Sequence, residues 1–489
     1  MSSDDLHASS IGRTKIVATI GPASSSPATL RQLLEAGVSV FRLNFSHGTH
    51  DGHSAVVSAI RTVSRDMGRH VGILQDLCGP KMRLGSLPSD VVECRLGDEF
   101  TLVSHASGHD AQELTCSYQQ LPDDLKRGET VLFADGTVTM IVIDTTPGRA
   151  RMKVTLAGRL RSRQGLNLPG SDLAVESLTD KDLQDLDWTA RHAGDVDFVG
   201  LSFVRTAQDV ARLRQELQAR GSRARIVVKI EKPQAVKNLE AIVAATDAVM
   251  VARGDLGVEM DVQRVPSIQK RIIALCNAVH RPVITATQML NSMEHSNRPT
   301  RAEASDVFNA VLDGSDAVML SGESAVGEYP VEAVATMRRI CTEAEGHLRS
   351  SAYSSRSDSA SLPGLVHPIT EAAADAACLM ARRLDAALIV VVAAEPGRSA
   401  LALSNRRPGA PVLALARTEE VARRLSLCWG VEALVLPDAH PHSVEAELSF
   451  GMSWAKTHDL VRPGQHAVLF RGQRPGQANT VAILAGEVP

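Results

Sequence analysis

Two segments concentrate the chemistry of this chain. RIVVKIEKP, residues 225–233, is an apolar, β-branched run that ends by presenting Lys229 and Glu231. Spaced by two, both side chains leave an extended strand on the same face. DAVMVARGDLGVE, residues 247–259, carries a second apolar run into Arg253-Gly254-Asp255, where glycine lets the backbone come close to a ligand. Two carboxylates beside an ammonium make a hard oxygen site for Mg²⁺ or Mn²⁺ next to a fixed positive charge. That combination suits a phosphoryl group or an enolate. Taken alone, Lys229 and Glu231 read equally well as a structural ion pair, so the elements that position them must decide.

Eight short apolar runs alternate with helical patterns: KIVATI (15–20), VSVFRL (38–43), VGILQ (71–75), DFVGLS (197–202), IVVKI (226–230), DAVMV (247–251), PVITA (282–286) and DAVML (316–320). Apolar strands separated by helices imply a parallel sheet covered on both faces. Eight of them predict an α/β fold built on a closed (β/α)₈ TIM barrel over residues 11–79 and 175–348; an open doubly wound sheet is the competitor. The spacing breaks once, between residues 75 and 197. There VVECRLGDEFTLV, ETVLFADGTVTMIVID and RMKVTLAGRL alternate apolar and polar residues, which predicts an inserted antiparallel β lid domain over 80–174. Asp135-Gly136 reads as a turn between two of its strands. A Ser-rich linker follows at 349–364, then a C-terminal three-layer α/β domain over 365–489, whose strands are ALIVVVAA, PVLALA, VEALVL and HAVLF.

Composition excludes several classes. A net charge of −4 argues against a general nucleic-acid or anionic-membrane binder. The 7 cysteines are scattered without CxxC spacing, as expected of reduced thiols in the cytoplasm. No run of apolar residues is long enough to span a membrane. Residues 1–10 read as a disordered polar tail with no signal-peptide core.

A barrel places catalytic groups just after its strands. Gly21-Pro22-Ala23-Ser24 follows the first; the second ends in Arg42, Asn44 and Ser46, with His47 next. Asp76, Ser202, Lys229 with Glu231, Asp255, Thr287 with Gln288, and Ser321-Gly322-Glu323 follow the others. The opposite strand ends show no comparable pattern. Several such coincidences define one mouth.

These motifs resemble those of the pyruvate kinase family: TKIVATIGPASSS, FRLNFSHGTH, LQDLCGPKMR, LNLPG, LSFVR, VVKIEKP, VMVARGDLGVE, TATQMLNSM with RPTRAE, and DAVMLSGESAVGEYP, in order from residue 14 to about 330. The resemblance implies transfer of a phosphoryl group from phosphoenolpyruvate to ADP. It implies that Glu231 and Asp255 hold the divalent metal, that Lys229 stabilises the transferring phosphoryl group and the enolate, and that Arg42 grips the phosphate with Arg83. Gly254, Asp255 and Thr287 would cradle the pyruvyl group, Thr287 as a catalytic residue near the face where the enolate is protonated, and Ser202 would also bind the substrate. Asn44 and His47, with Arg83, would face the nucleotide; for His47 an ordinary loop histidine is the alternative reading. A cytoplasmic homotetramer is implied as well.

Three departures from the family pattern stand out. Many members hold K⁺ at positions matching Asn44, Ser46, Asp76 and the Leu77 carbonyl, with a glutamate where this chain has Lys81. The tethered ammonium predicts that K⁺ is not required. The loop Ala394-Glu395-Pro396-Gly397-Arg398-Ser399 lacks hydroxyls found in members activated by fructose 1,6-bisphosphate, which predicts no such activation; Arg398 and Ser399, with Arg471-Gly472, remain candidates for a monophosphate effector such as AMP or a sugar phosphate. Gln164 stands where many relatives carry a lysine, and its role is not readable. Two other function classes compete: a metal-dependent barrel lyase or aldolase, which leaves the lid and Arg42 unexplained, and an inactive sensor, which would be expected to lack Lys229 or a metal ligand.

Overall fold

The computed structural model describes residues 12–87, 89–105, 112–169, 176–350, 366–394, 397–441, 443–472 and 481–489. The expected tail at 1–10 lies outside them, as does all of the Ser-rich linker beyond Ser350; Arg349 and Ser350 still belong to the helix Pro330–Ser350.

Eight parallel strands close into a barrel: Lys15–Ile20, Val40–Asn44, Gly72–Asp76, Phe198–Leu201, Arg225–Ile230, Ala248–Ala252, Val283–Ala286 and Ala317–Leu320, the last pairing with the first. Every expected strand is present. Several begin a residue or two later than expected, because the leading Asp197, Asp247 and Asp316 sit just before their strands. Their carboxylates instead accept amides of the neighbouring strand: Ile73, Ile226 and Val283 each donate at 2.9 Å. The barrel core has two layers. Ile16, Phe41, Ile73, Val199, Val228 and Val249 face the surrounding helices. Val17, Val40, Leu74, Met250, Ile284 and Met319 fill the interior, where Leu427 of the C-terminal domain joins them.

The insertion leaves after the third strand. It forms a six-stranded sheet in the order Leu166–Asn167, Thr130–Phe133, Val138–Thr146, Arg149–Leu156, Glu99–Val103, Glu113–Leu114, and a separate pair of Val91–Cys94 with Gly158–Arg161. All neighbours are antiparallel except the last pair of the larger sheet, which is parallel. Residues Ala134–Gly136 make the expected turn, with Gly136 at φ 88°.

The C-terminal domain has five strands, one more than expected: Val431–Val435, Val412–Ala416, Leu388–Ala393, His466–Arg471 and Ala482–Glu487 in spatial order. The extra strand is antiparallel and follows directly in the chain. No helix among the described residues is long and apolar enough to cross a membrane. The seven cysteines are all unpaired.

Candidate active site

Lys229 and Glu231 leave the end of the strand Arg225–Ile230 together, as their spacing requires. Lys229 Nζ lies 2.7 Å from Glu231 Oε1, 3.7 Å from Asp76 Oδ1, and donates to Ser202 Oγ at 2.9 Å. Burial alone would depress the Lys229 pKa, but Asp76, Glu231 and Asp255 outweigh it, so the pKa is raised and the ammonium is locked in its charged form. Glu231 is pushed the other way from a normal carboxylate. Burial raises its pKa, Lys229 opposes, and Asp255 adds to the rise. Its Oε2 accepts the Phe203 amide at 2.8 Å, while Oε1 has only the Lys229 ammonium as its partner.

Asp76, on the third strand, is buried but held below its ordinary pKa, because Lys229 and Arg42 outweigh the desolvation. Its Oδ2 accepts Arg42 Nε at 2.7 Å, and Arg42 also donates to Thr19 Oγ1 at 2.9 Å. Asp76 Oδ1 is a buried acceptor with no hydrogen bond, 3.7 Å from the same ammonium. Buried acceptors are normally satisfied, so two carboxylate oxygens that share one ammonium leave room for a further hard cation. Among the described residues no group of three or more His, Cys, Asp or Glu forms a metal site. Glu231 and Asp255 would therefore supply only part of a coordination shell, which is how Mg²⁺ is commonly bound, with substrate oxygens and water completing it.

Asp255 and Gly254 begin the helix Arg253–Glu259. The Gly254 amide donates to Thr287 Oγ1 at 2.7 Å, so in this state it is not free for a ligand. Thr287 and Gln288 have φ of 68° and 53°, a left-handed backbone that costs free energy unless its surroundings enforce it. Arg253 enforces it, donating to the Thr287 carbonyl at 2.8 Å while ion-paired to Asp306 at 2.7 Å. The sequence reading passed over Arg253 although it stood inside a quoted motif.

Ser202 is a positioning group for Lys229: its own hydroxyl donates to the Leu77 carbonyl at 2.8 Å, so both its partners are protein. Gly200 is needed in the same place, because a Cβ there would sit 2.9 Å from Asp76 Oδ1. Asn44 turns inward to accept the Ser46 amide at 3.1 Å. His47 is exposed, and partial desolvation followed by the charges of Arg83, Lys81 and Arg42 lowers its pKa. The same neighbours show that Lys81 and Arg83 lie beside the loop carrying His47. Arg83 donates to the Arg163 carbonyl at 3.3 Å, and Gln164 accepts the Arg161 amide at 2.7 Å, folding back onto its own turn.

The lid is tied to this mouth by a contact that motif reading did not reveal. Glu259 Oε1 accepts Asn167 of the lid at 3.2 Å and Lys232 at 2.6 Å. Arg398 and Ser399 do not join the mouth. They begin the helix Arg398–Asn405 in the C-terminal domain, where Ser399 Oγ lies against Gly472.

The opposite strand ends are not featureless, contrary to the sequence expectation. Asp197 is paired with Arg61 at 2.7 Å and with Arg423 of the C-terminal domain at 2.9 Å, and Asp316 with Arg407 at 2.9 Å. Single aspartates at strand starts carried no periodic signal, and their arginine partners lie far away in the chain.

Comparison with known proteins bears on the whole chain. The family description "Pyruvate kinase, barrel domain" matches residues 11–334 and "Pyruvate kinase, alpha/beta domain" residues 371–484. The chain is 41% identical over 482 residues to pyruvate kinase 2 of Synechocystis sp., covering 97% of this chain and 79% of that one. It is 43% identical over 436 residues to a pyruvate kinase of Agrobacterium vitis, covering 88% and 90%. A crystal structure of a pyruvate kinase from Cryptosporidium parvum superposes with a TM-score of 0.90 at 35% identity, covering 100% of this chain and 98% of that one.

Proposed function

The chain belongs to the pyruvate kinase family and is a phosphotransferase, and from that premise we propose how its own residues perform the transfer from phosphoenolpyruvate to ADP. The observation that carries the reading is the buried Lys229 ammonium wedged between Glu231 and Asp76, whose facing oxygens have no other hydrogen-bond partner.

Glu231 and Asp255 would hold the divalent ion, Mg²⁺ or Mn²⁺, whose charge when bound offsets that of the phosphoryl group and the pyruvyl carboxylate. Arg42, fixed by Asp76 and Thr19, grips the phosphate, and Arg83 reaches it from the lid hinge. As the bond from phosphorus to the enol oxygen breaks and the bond to the ADP oxygen forms, Lys229 meets the charge growing on the enolate. Such transfer depends on placement and electrostatics more than on covalent help from the protein. Thr287 lies by the face where carbon takes up a proton to give pyruvate. Binding of the pyruvyl group at Gly254 and Asp255 requires the Gly254 amide to exchange its bond with Thr287 for one to the ligand. Asn44 and His47 face the nucleotide.

Lys81, whose charge acts on His47 together with those of Arg83 and Arg42, supports independence from K⁺: a further cation among these positive groups is unwelcome. The Leu77 carbonyl is also already engaged by Ser202. No activation by fructose 1,6-bisphosphate is expected, and Ser399 with the Arg471-Gly472 loop, flanked by Arg398, is the candidate place for a monophosphate effector. A cytoplasmic homotetramer completes the reading. The test is a coupled pyruvate assay with Mg²⁺, run with and without ADP and in buffer free of K⁺ and Na⁺. ADP-dependent pyruvate formation that K⁺ leaves nearly unchanged is expected. Pyruvate without ADP would reject the transfer, strong stimulation by K⁺ would reject the role given to Lys81, and a fructose 1,6-bisphosphate shift of the phosphoenolpyruvate saturation curve would reject the reading of the effector loop.

A further inference from the structure

Far from the mouth, a cavity of about 300 Å³ lies in the seam between the barrel floor and the C-terminal domain. That is the lower end of the volumes in which proteins bind small molecules. Its apolar walls come from both sides. Phe198 and Pro282, at the starts of the fourth and seventh barrel strands, face Leu401 and Leu425 of the C-terminal domain.

Its charged lining is cationic apart from Asp247, which Arg214 and Arg225 pair with. Arg281 donates only to the carbonyls of Val243 at 3.3 Å and Ala244 at 3.1 Å, at the end of the helix Leu239–Ala245, and to no carboxylate. Arg214 pairs with Asp247 at 3.1 Å. Arg398 makes no ion pair with any described residue. Burial first, with Arg214 and Arg225 adding to it against the pull of Asp247, lowers Arg281 to a pKa of about 10, the mark of a guanidinium short of a counter-charge. His280 also lines the cavity and is only 7% exposed. Its Nε2 meets Glu371 at 2.9 Å, while its Nδ1 is buried with no hydrogen-bond partner. A buried, unpartnered ring nitrogen among arginines calls for a group that the protein itself does not supply.

We propose that this seam cavity binds a small organic anion, one phosphate or carboxylate group carried on an apolar body, with Arg281, Arg398 and His280 holding the charged end and Phe198, Leu401 and Leu425 covering the rest. The site uses groups from both domains, so its occupant binds best when the C-terminal domain is seated on the barrel floor. It shares Arg398 with the candidate effector loop, but it uses neither Ser399 nor Gly472 nor any residue of the transfer reaction.

Phenyl phosphate and inorganic phosphate are suitable probes, titrated by calorimetry into the full-length protein with Mg²⁺ and saturating phosphoenolpyruvate so that the mouth is filled. One phenyl phosphate per chain should bind, at least about tenfold more tightly than inorganic phosphate because the ring is buried. Arg281→Gln should weaken it about 10- to 100-fold, the scale of a lost charge-assisted hydrogen bond. Leu401→Trp, which fills the cavity, should abolish binding, and Ser399→Ala should leave it unchanged. Pyruvate formation at saturating substrates, retained in Arg281→Gln and Leu401→Trp, shows that these two fold and is read independently of the proposed site. Absence of saturable binding, equal affinity for the two probes, binding that survives Leu401→Trp, or binding lost in Ser399→Ala would each overturn the proposal.

Discussion

The two ends of the barrel use the same residue types to opposite effect. At the floor, Asp197 takes the Ile73 amide, Arg61 and Arg423, and Asp316 takes the Val283 amide and Arg407. Those carboxylates have both oxygens engaged. At the mouth, Asp76 and Glu231 are as deeply buried, yet Asp76 Oδ1 has no hydrogen bond and Glu231 Oε1 meets only the Lys229 ammonium, at 2.7 Å. A buried acid with every lone pair used holds a fold together. One left incomplete stores an interaction for a ligand, at a cost in stability that the rest of the barrel must offset. Among these four acids burial alone does not separate structure from chemistry; the partners of their second oxygens do.

The sharpest way to break this contrast is to remove the central charge of each end. Lys229→Met should lower kcat about 10²- to 10³-fold or more, the scale for losing one preorganised electrostatic group, in protein that is still folded at 25 °C although Asp76 and Glu231 lose their ammonium. A kcat within tenfold of the parent would falsify the assignment of Lys229 to the reacting phosphoryl group. Asp197→Ala should do the reverse. Leaving Arg61 and Arg423 buried without their partner should lower stability by about 3 kcal/mol or more, measured by denaturant or thermal melting, while kcat at 25 °C stays near the parent value. Equal losses of activity and stability in both variants would erase the distinction between the ends.

A smaller effect is expected from Gly200→Ala. Its Cβ would press on Asp76 Oδ1 from 2.9 Å, displacing the carboxylate that fixes Arg42. A loss of about tenfold in kcat/KM follows, since misplacing a catalytic contact by a fraction of an ångström is expensive. If steady-state kinetics show no change, Arg42 does not depend on Asp76 for its placement. The mildest effect concerns pH. Because the folded Glu231 keeps its proton to a higher pH than the ordinary value of 4.5, proton and divalent ion should compete above that value. The Mg²⁺ concentration for half-maximal activity should rise as pH falls through this window, and excess Mg²⁺ should restore turnover. A requirement for Mg²⁺ that stays flat down to pH 4.5 would count against Glu231 as a ligand.

Much of the mouth was legible because barrel chemistry is written locally. Lys229 and Glu231 sit two apart on one strand, and Arg42, Asn44 and Ser46 alternate on another, so the period of an extended chain alone turns each set to one side. The floor was not legible, since Asp197 and Arg423, or Asp316 and Arg407, are joined only by domain docking. Even at the mouth, Asp76 was read as part of a monovalent-cation region, whereas in the structure it also anchors Arg42 and faces Lys229. Arg253 was visible but silent, because the strained turn it supports at Thr287 exists only once the seventh strand is in place.

The amino-acid sequence by itself determined the eight strands, the inserted lid, the C-terminal domain and the set of polar groups at strand ends, because alternation and β-branched runs are properties of neighbours in the chain. Tertiary structure alone decided which buried carboxylates are completed and which are left open, how Glu259 ties the lid to the barrel, and that a cationic cavity opens in the domain seam. Those outcomes depend on distances between residues remote in sequence, and no local period encodes them.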